Sequence, residues 1–209
     1  MADTFRDNLL KKLGKDKLEK IEKAVIGLAG AGGLGSNCAM NLVRAGFKRF
    51  VIADFDVVEH PNLDRQFYFS DQVGMVKVEA LSFNLKRIVP GLNIRTVNKK
   101  IQEEDVVQVF SGCDIVVECF DRAENKRMIV QTLLPTKKFI VSASGLGGYG
   151  HSDDIKTARV KHNLVLVGDH RSDIAIAPAL SPRVSIAAAK QADAVLEFVA
   201  GSYGRGQGQ

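Results

Sequence analysis

The run Gly30-Ala31-Gly32-Gly33-Leu34-Gly35, with Asp54 standing 19 residues beyond Gly35, has the residue types and spacing of a nucleotide cradle. Glycines permit a tight turn and let backbone N–H groups approach phosphate, and the N-terminus of the following helix adds unpaired N–H groups and partial positive charge. An acidic side chain at the end of the next strand accepts hydrogen bonds from ribose hydroxyls. Gly30, Gly32, Gly35 and Asp54 fit that chemistry. The plain alternative is that the glycines serve only close helix-to-strand packing, and the spacing to Asp54 argues against it. The loop alone does not choose among NAD, FAD, S-adenosylmethionine and ATP.

Nearby charge narrows the choice, because a nicotinamide site needs few charged groups whereas a triphosphate needs several. The phrase from Asp54 to Gln66 contains Asp56, Asn62, Arg65 and Gln66, and Lys77 follows in the first turn of a later helix. Asp121 ends the fourth strand in this reading, where a carboxylate can hold a divalent metal against phosphate oxygens. Taken singly, Arg65 and Lys77 read as solvated surface charges and Asp121 as a helix cap. Together, at the carboxyl edge of a sheet, they point to ATP with Mg2+.

The elements that must position these residues alternate. Residues 4–22 read as a helical arm broken near Gly14, with Phe5, Leu9, Leu10, Leu13, Leu18 and Ile21 as its apolar stripe. The run 24–29 is apolar throughout, as expected of a strand buried on both faces. Helix 33–45 and strand 50–53 complete a βαβ unit. Residues 55–73 lack periodicity and are long for a connection, which suggests a functional loop. Helices over 74–88, 103–110 and 122–134 alternate with strands over 93–98, 114–119 and 139–143. The pattern predicts a Rossmann-like α/β fold, a mostly parallel sheet with helices on both faces. Two short β-like runs, 155–160 and 163–167, extend it. A closing helix begins at Ser181-Pro182, with Ser181 as its cap and Val184, Ala187, Ala188, Ala192, Val195 and Val199 along one side. The expected organisation is a single ATP-binding domain over residues 1–200, including the arm at 1–22, and a flexible tail over 201–209.

The chain has 209 residues, 45% of them hydrophobic, and a net charge of +5. Those values suit one soluble domain with a sizeable core. The basic residues are dispersed, so nothing in the charge pattern calls for a nucleic-acid partner. No run reaches the ~18 apolar residues of a membrane span and the start is polar, so a cytoplasmic location is the expectation. Cys38, Cys113 and Cys119 form no CxxC pair; no zinc site is expected, and the thiols read as inert core groups. His60, His151, His162 and His170 show no ligand spacing.

GAGGLGSN (Gly30 to Asn37), DFDVVEHPNLDRQ (Asp54 to Gln66), VGMVKVEAL (Val73 to Leu81), ECFD (Glu118 to Asp121) and the closing SPRVSIAAAKQADAVLEF (Ser181 to Phe198) together resemble the ThiF/MoeB/HesA adenylyltransferases, relatives of the ubiquitin-activating enzymes. The likeness spans residues 5 to 200. It implies adenylation of the C-terminal glycine of a small ubiquitin-like sulfur carrier, using ATP with Mg2+ as cofactor and releasing pyrophosphate. Carried over by position, Gly33 would lie under the nucleotide, Asp54 would bind ribose, and Asn62, Arg65 and Lys77 would hold the phosphates. Asp121 would hold Mg2+. Arg6 stands where, in the family, an arginine reaches the partner subunit's ATP site, which implies a homodimer. Arg6, Arg65, Lys77 and Asp121 are thus the implied catalytic set. The attacking carboxylate is already ionised at neutral pH, so no general base is needed.

The chain departs from the family pattern at Pro61, where serine is usual, and at Arg122, where asparagine is usual. It lacks the paired CxxC zinc motifs and the crossover-loop cysteine of longer members. It therefore resembles the compact ThiF-like branch of thiamine biosynthesis, whose carrier would be a ThiS-like protein ending in Gly-Gly. The segment Val141 to Gly148 and the loop Asp169-His170-Arg171 flank the expected entrance for the carrier tail. Activation of a molybdopterin-type carrier or of a threonylcarbamoyl group on tRNA is the runner-up. An NAD-binding oxidoreductase, or a catalytically silent binding module, would use the same fold.

Overall fold

The computed structural model describes residues 4–173 and 176–201. The first strand, β1 (Val25–Ala29), lies third in a seven-stranded sheet with β2 (Arg49–Ala53), β3 (Asn93–Val97), β4 (Ile115–Glu118), β5 (Phe139–Ala143), β6 (Lys156–Lys161) and β7 (Leu164–Gly168). The order is β3-β2-β1-β4-β5-β7-β6, every pairing parallel except the antiparallel β6 and β7 at one edge. The chain runs outward from β1 to β3 and then returns to the other side of β1 to lay down β4. That reversal opens a crevice beyond the carboxyl ends of β1 and β4, the place where such sheets bind ligands.

The apolar character of the central strands follows from cover on both faces. On one face Ile26 and Leu28 meet α2 (Lys15–Lys23), α3 (Gly33–Arg44), α4 (Lys77–Ile88) and α7 (Ser181–Ala200), through fully buried Ile21, Cys38, Leu42, Leu81, Ala188 and Val195. On the other face Ala29, Val116 and Ile140 meet α5 (Glu103–Val109) and α6 (Ala123–Leu133), with Phe110, Ile129 and Leu133 at its centre. Gly27 is required there: a Cβ would stand 2.7 Å from the Phe110 ring. The helix α1 (Thr4–Leu13) buries no residue fully, whereas α2 contributes Leu18 and Ile21 to the core. The break between them is Gly14, in the left-handed region at φ 76°.

Several boundaries differ from the expected ones for local reasons. The helix α4 starts at Lys77 rather than residue 74, because Gly74 turns the chain at φ 90° and Val76 is extended. Val57 and Val76 form an isolated antiparallel bridge instead. The strand β4 ends at Glu118, so Asp121 lies in the turn beyond it and not at the strand's end. Ser181 is the first residue of α7 and does not cap it; extended Leu180 takes that place without a side-chain hydrogen bond. Among the described residues no helix is long and apolar enough to cross a membrane. The expected tail falls almost wholly outside the described residues, as only Gly201 is included.

Candidate functional site

At the end of β1, Gly30 takes a φ of 109° and donates its N–H to the Ala53 carbonyl at 2.8 Å. Any side chain there would meet the Cys119 carbonyl oxygen at 2.9 Å. The chain then enters α3, whose first intrahelical bond runs from Ser36 N–H to Gly32 O at 2.9 Å. The N–H groups of Gly33, Leu34 and Gly35 precede it and so have no partner one turn earlier, the ordinary condition of a helix start and a source of anion affinity. Gly32 leaves the loop open, since a Cβ on it would have only Gln66 Nε2 nearby, at 3.8 Å.

Asp54 ties the end of β2 to this loop. Its Oδ2 accepts the Ala31 N–H at 2.7 Å and its Oδ1 accepts the Asp56 N–H at 2.9 Å. Burial pushes its carboxyl above the usual carboxylate range, against the pull of those two N–H groups and of the Lys77 charge. Tyr68 closes the floor by donating its hydroxyl to Ala31 O at 2.7 Å.

Residues 55–73 hold no long element, only the short 3-10 turns His60–Asn62 and Ser70–Gln72, so side chains hold the segment. Ser36 and Asn37, on the first turn of α3, grip it: Ser36 Oγ accepts the Phe67 N–H at 3.0 Å, and Asn37 Nδ2 donates to Arg65 O at 2.9 Å. Gln72 and Asn84 exchange amide hydrogen bonds at 2.8 and 2.9 Å beneath it. Buried Asn62 accepts the Glu59 N–H at 3.1 Å. The Arg65 guanidinium rests on Pro61 O at 3.0 Å and Asp64 at 2.7 Å. Gln66 has its Oε1 buried and unpartnered.

Lys77 opens α4 with its side chain almost covered and its Nζ 2.9 Å from the half-exposed carboxylate of Asp56. Across the crevice, Asp121 is exposed and makes no hydrogen bond or ion pair among the described residues. It shares an open cleft with Arg122, Ala123, Glu124 and Asp173. Among the described residues no three His, Cys, Asp or Glu side chains converge. One exposed carboxylate suits Mg2+, which takes one or two protein ligands and fills its shell with water and phosphate oxygens.

The fold thus gathers Gly30, Gly32, Gly33, Gly35, Asp54, Asp56, Asn62, Arg65, Gln66 and Lys77 around the ends of β1 and β2, with Asp121 beyond β4. Arg6 is not among them. It lies near Lys48, at the amino end of β2, with Nε and Nη2 at 2.9 and 3.2 Å from the two oxygens of Glu22. All three thiols are free and buried. Burial pushes Cys113 up to about 11, with Lys138 and Arg95 pulling the other way, and carries Cys38 and Cys119 upward as well. None is a poised nucleophile.

Sequence reasoning missed two buried polar groups at this edge. One is Glu118, fully buried, which accepts Ser142 Oγ at 2.6 Å and Lys126 Nζ at 3.1 Å. A glutamate inside the apolar run from Ile115 to Phe120 was the available signal. The other is Arg183, buried in the first turn of α7, which pairs with Asp169 and donates to the carbonyls of Gly150 at 2.8 Å and His151 at 3.2 Å. Its signal was an arginine beside the apolar stripe of the closing helix.

The ThiF family profile matches residues 5–207. Adenylyltransferase and sulfurtransferase UBA4 of Candida glabrata is 37% identical over 132 residues, covering 63% of this chain and 30% of that protein. Molybdopterin-synthase adenylyltransferase of Haemophilus influenzae is 32% identical over 142 residues, covering 68% of this chain and 58% of that protein. The chain therefore spans less than two thirds of the length of either relative. Among solved structures, Escherichia coli tRNA N6-threonylcarbamoyladenosine dehydratase in complex with AMP superimposes with a TM-score of 0.85 over 95% of this chain and 96% of that one. At 20% identity that likeness is one of fold. With nearly its whole length matched and the glycine loop seated at the switch point of the sheet, the chain belongs to the ThiF family.

Proposed function

We propose that this chain adenylates the C-terminal glycine of a small ubiquitin-like sulfur carrier, using ATP and releasing pyrophosphate. The observation that carries the reading is the assembly of an open glycine loop, the buried carboxylate of Asp54 at the end of β2, the cations Arg65 and Lys77, and the carboxylate of Asp121, unpartnered among the described residues, around one switch point. Relatives named as adenylyltransferases support it.

In this reading the N–H groups of Gly32 to Gly35 and the side chains of Asn62, Arg65, Gln66 and Lys77 hold the phosphates, and Asp56 holds Lys77 in place until they arrive. Each Asp54 oxygen keeps a lone pair beyond its backbone bond, enough to accept a ribose hydroxyl. Asp121 would supply one ligand to Mg2+, which when bound neutralises phosphate charge. A carrier carboxylate oxygen attacks the α-phosphorus, the bond from that phosphorus to the bridging oxygen breaks, and pyrophosphate leaves with the electron pair. No proton moves. What the chain supplies is alignment and charge neutralisation.

Arg6, anchored away from its own site, would act in the site of a second copy, making the active unit a homodimer. The carrier is ThiS-like, in thiamine thiazole synthesis in the cytoplasm, a reading supported by the short, cysteine-free stretch 145–178, which leaves no thiol for a later sulfur step.

The test is ATP–pyrophosphate exchange with purified ThiS-like and molybdopterin-type carriers and tRNA, beside calorimetry with ATP and NAD. Exchange dependent on the ThiS-like carrier is the expected result. Exchange with the molybdopterin-type carrier alone would replace the ThiS assignment, and ATP activation on tRNA alone would replace the carrier. Tight NAD binding without ATP binding would sink adenylation altogether.

A further inference from the structure

Asp121 makes no bond of its own among the described residues, yet Phe120 before it and Lys126 five residues after it both bond to one buried carboxylate. Glu118 Oε1 accepts the Phe120 N–H at 2.7 Å, immediately before Asp121. Both Glu118 oxygens accept from Lys126 Nζ, at 3.3 and 3.1 Å, and Lys126 stands in the first turn of α6, the helix that follows the turn. Ser142 Oγ on β5 donates to Oε2 at 2.6 Å, and Gln191 Nε2 on α7 donates to the Glu118 carbonyl at 3.0 Å. Between them, Cys119 N–H continues the sheet by bonding to Ala29 O at 2.8 Å. Glu118 is 0% exposed.

A wholly buried carboxylate is costly unless every lone pair is answered, and an apolar residue would serve the strand better. Here the donors come from the turn itself, from α6 and from β5, so the carboxylate fixes where the turn leaves the sheet and where α6 begins. Those are the two ends of the segment that presents Asp121.

We propose that Glu118 is the positioning residue for Asp121, setting the place of the carboxylate that meets the metal–triphosphate; this rests on the adenylation reading above. Glu118 touches no substrate. Exchanging it for glutamine keeps its shape but replaces one acceptor oxygen with an NH2 group, which cannot accept from Lys126. The amide oxygen can still hold the Phe120 N–H, but Lys126 loses its nearer acceptor and its counter-charge, so the tie between the turn and α6 weakens.

The experiment uses the full chain and compares wild type, Glu118→Gln, Asp121→Asn and the double variant. One readout is carrier-dependent ATP–pyrophosphate exchange at varied Mg2+; the other is Mn2+ affinity of the ATP complex by water-proton relaxation. Thermal unfolding checks that each variant folds. We expect Glu118→Gln to raise the Mg2+ needed for half-maximal exchange and weaken Mn2+ binding by about tenfold, in the range seen when partners of a metal ligand are lost. In the Asp121→Asn background the same change should add nothing. Should Glu118→Gln not fold, Ser142→Ala removes one donor and is expected to move Mn2+ affinity in the same direction, by less.

A folded Glu118→Gln chain, or in its absence a folded Ser142→Ala chain, with wild-type metal dependence would overturn the proposal. So would an equal further loss in the Asp121→Asn background, since Glu118 would then be acting elsewhere. If wild type neither exchanges with any carrier nor binds Mn2+–ATP, the adenylation reading fails and takes the proposal with it.

Discussion

Replacing Gly35 by alanine places a methyl group against backbone, where no rotamer can relieve the contact. The added carbon would overlap the Gly30 carbonyl oxygen, lie 2.8 Å from its carbon and reach 3.4 Å from Cys119 Cβ. Relief requires the first turn of α3 to move away from the end of β1. Overpacking of this kind costs about 3 kcal/mol at its upper range, and alanine returns about 1 kcal/mol of helix propensity. The net loss is about 2 kcal/mol, a fall in Tm of roughly 4–8 °C for a domain of this size. Gly32→Ala is the companion, because its Cβ would have only Gln66 Nε2 within reach, at 3.8 Å. That variant should unfold within about 2 °C of wild type, as substitutions without a clash do. It should nonetheless weaken ATP binding at least tenfold, because the methyl group occupies the space through which phosphate approaches the N–H groups. Thermal unfolding without nucleotide followed by titration calorimetry with ATP measures both. Wild-type Tm for Gly35→Ala would refute the packing argument, and wild-type ATP affinity for Gly32→Ala would refute the placement of phosphate on this loop.

Lys77→Ala should lower carrier-dependent exchange by a factor of about 100 or more, as loss of a charge-stabilising donor does; urea unfolding should show a change of about 1 kcal/mol or less, since Asp56 is half exposed and can turn to water. Arg183→Met should cost about 3 kcal/mol in urea unfolding, because it strips a buried carboxylate of its cation, and Asp169→Asn in the same chain should recover part of that loss. The attachment of α1 should weaken in acid. Partial burial would raise the Glu22 carboxyl, yet the hydrogen bonds from Arg6 and Lys48 hold it below its ordinary value. A depressed carboxyl stabilises the fold above its unfolded pKa and loses that contribution as pH falls through its folded one. Hydrogen exchange over residues 4–13 should therefore show lower protection factors at pH 3 than at pH 7, and Glu22→Gln should flatten the difference.

The sheet and its helices were legible because β1, β4 and β5 are apolar on both faces while α3 and α7 carry one-sided stripes. Those two periods differ enough that each element declares itself. The segment 55–73 was legible only as irregular, since its order comes from Ser36, Asn37, Gln72 and Asn84, which lie within it or far along the chain and have no pattern in common. Gly74 hid the true start of α4, as nothing in its neighbours announces a left-handed turn. Most of the candidate site could be read because glycines and charges advertise themselves at the surface of a sheet edge. Glu118 and Arg183 escaped because their partners, Ser142, Lys126, Gly150 and Asp169, lie 8 to 33 residues away along the chain.

The packing of α7 on α3 bears on synthesis. The helix that carries the glycine loop is made early, while the last helix of the described chain supplies Val184 beside Gly33 and the alanine face of Ala187 and Ala188 that seals its apolar side. At about 5–20 residues per second, translation of the intervening chain takes on the order of ten seconds. Through that interval the face of α3 that the last helix seals stays open, so a nascent chain stalled before residue 181 would expose apolar surface and be a target for chaperones.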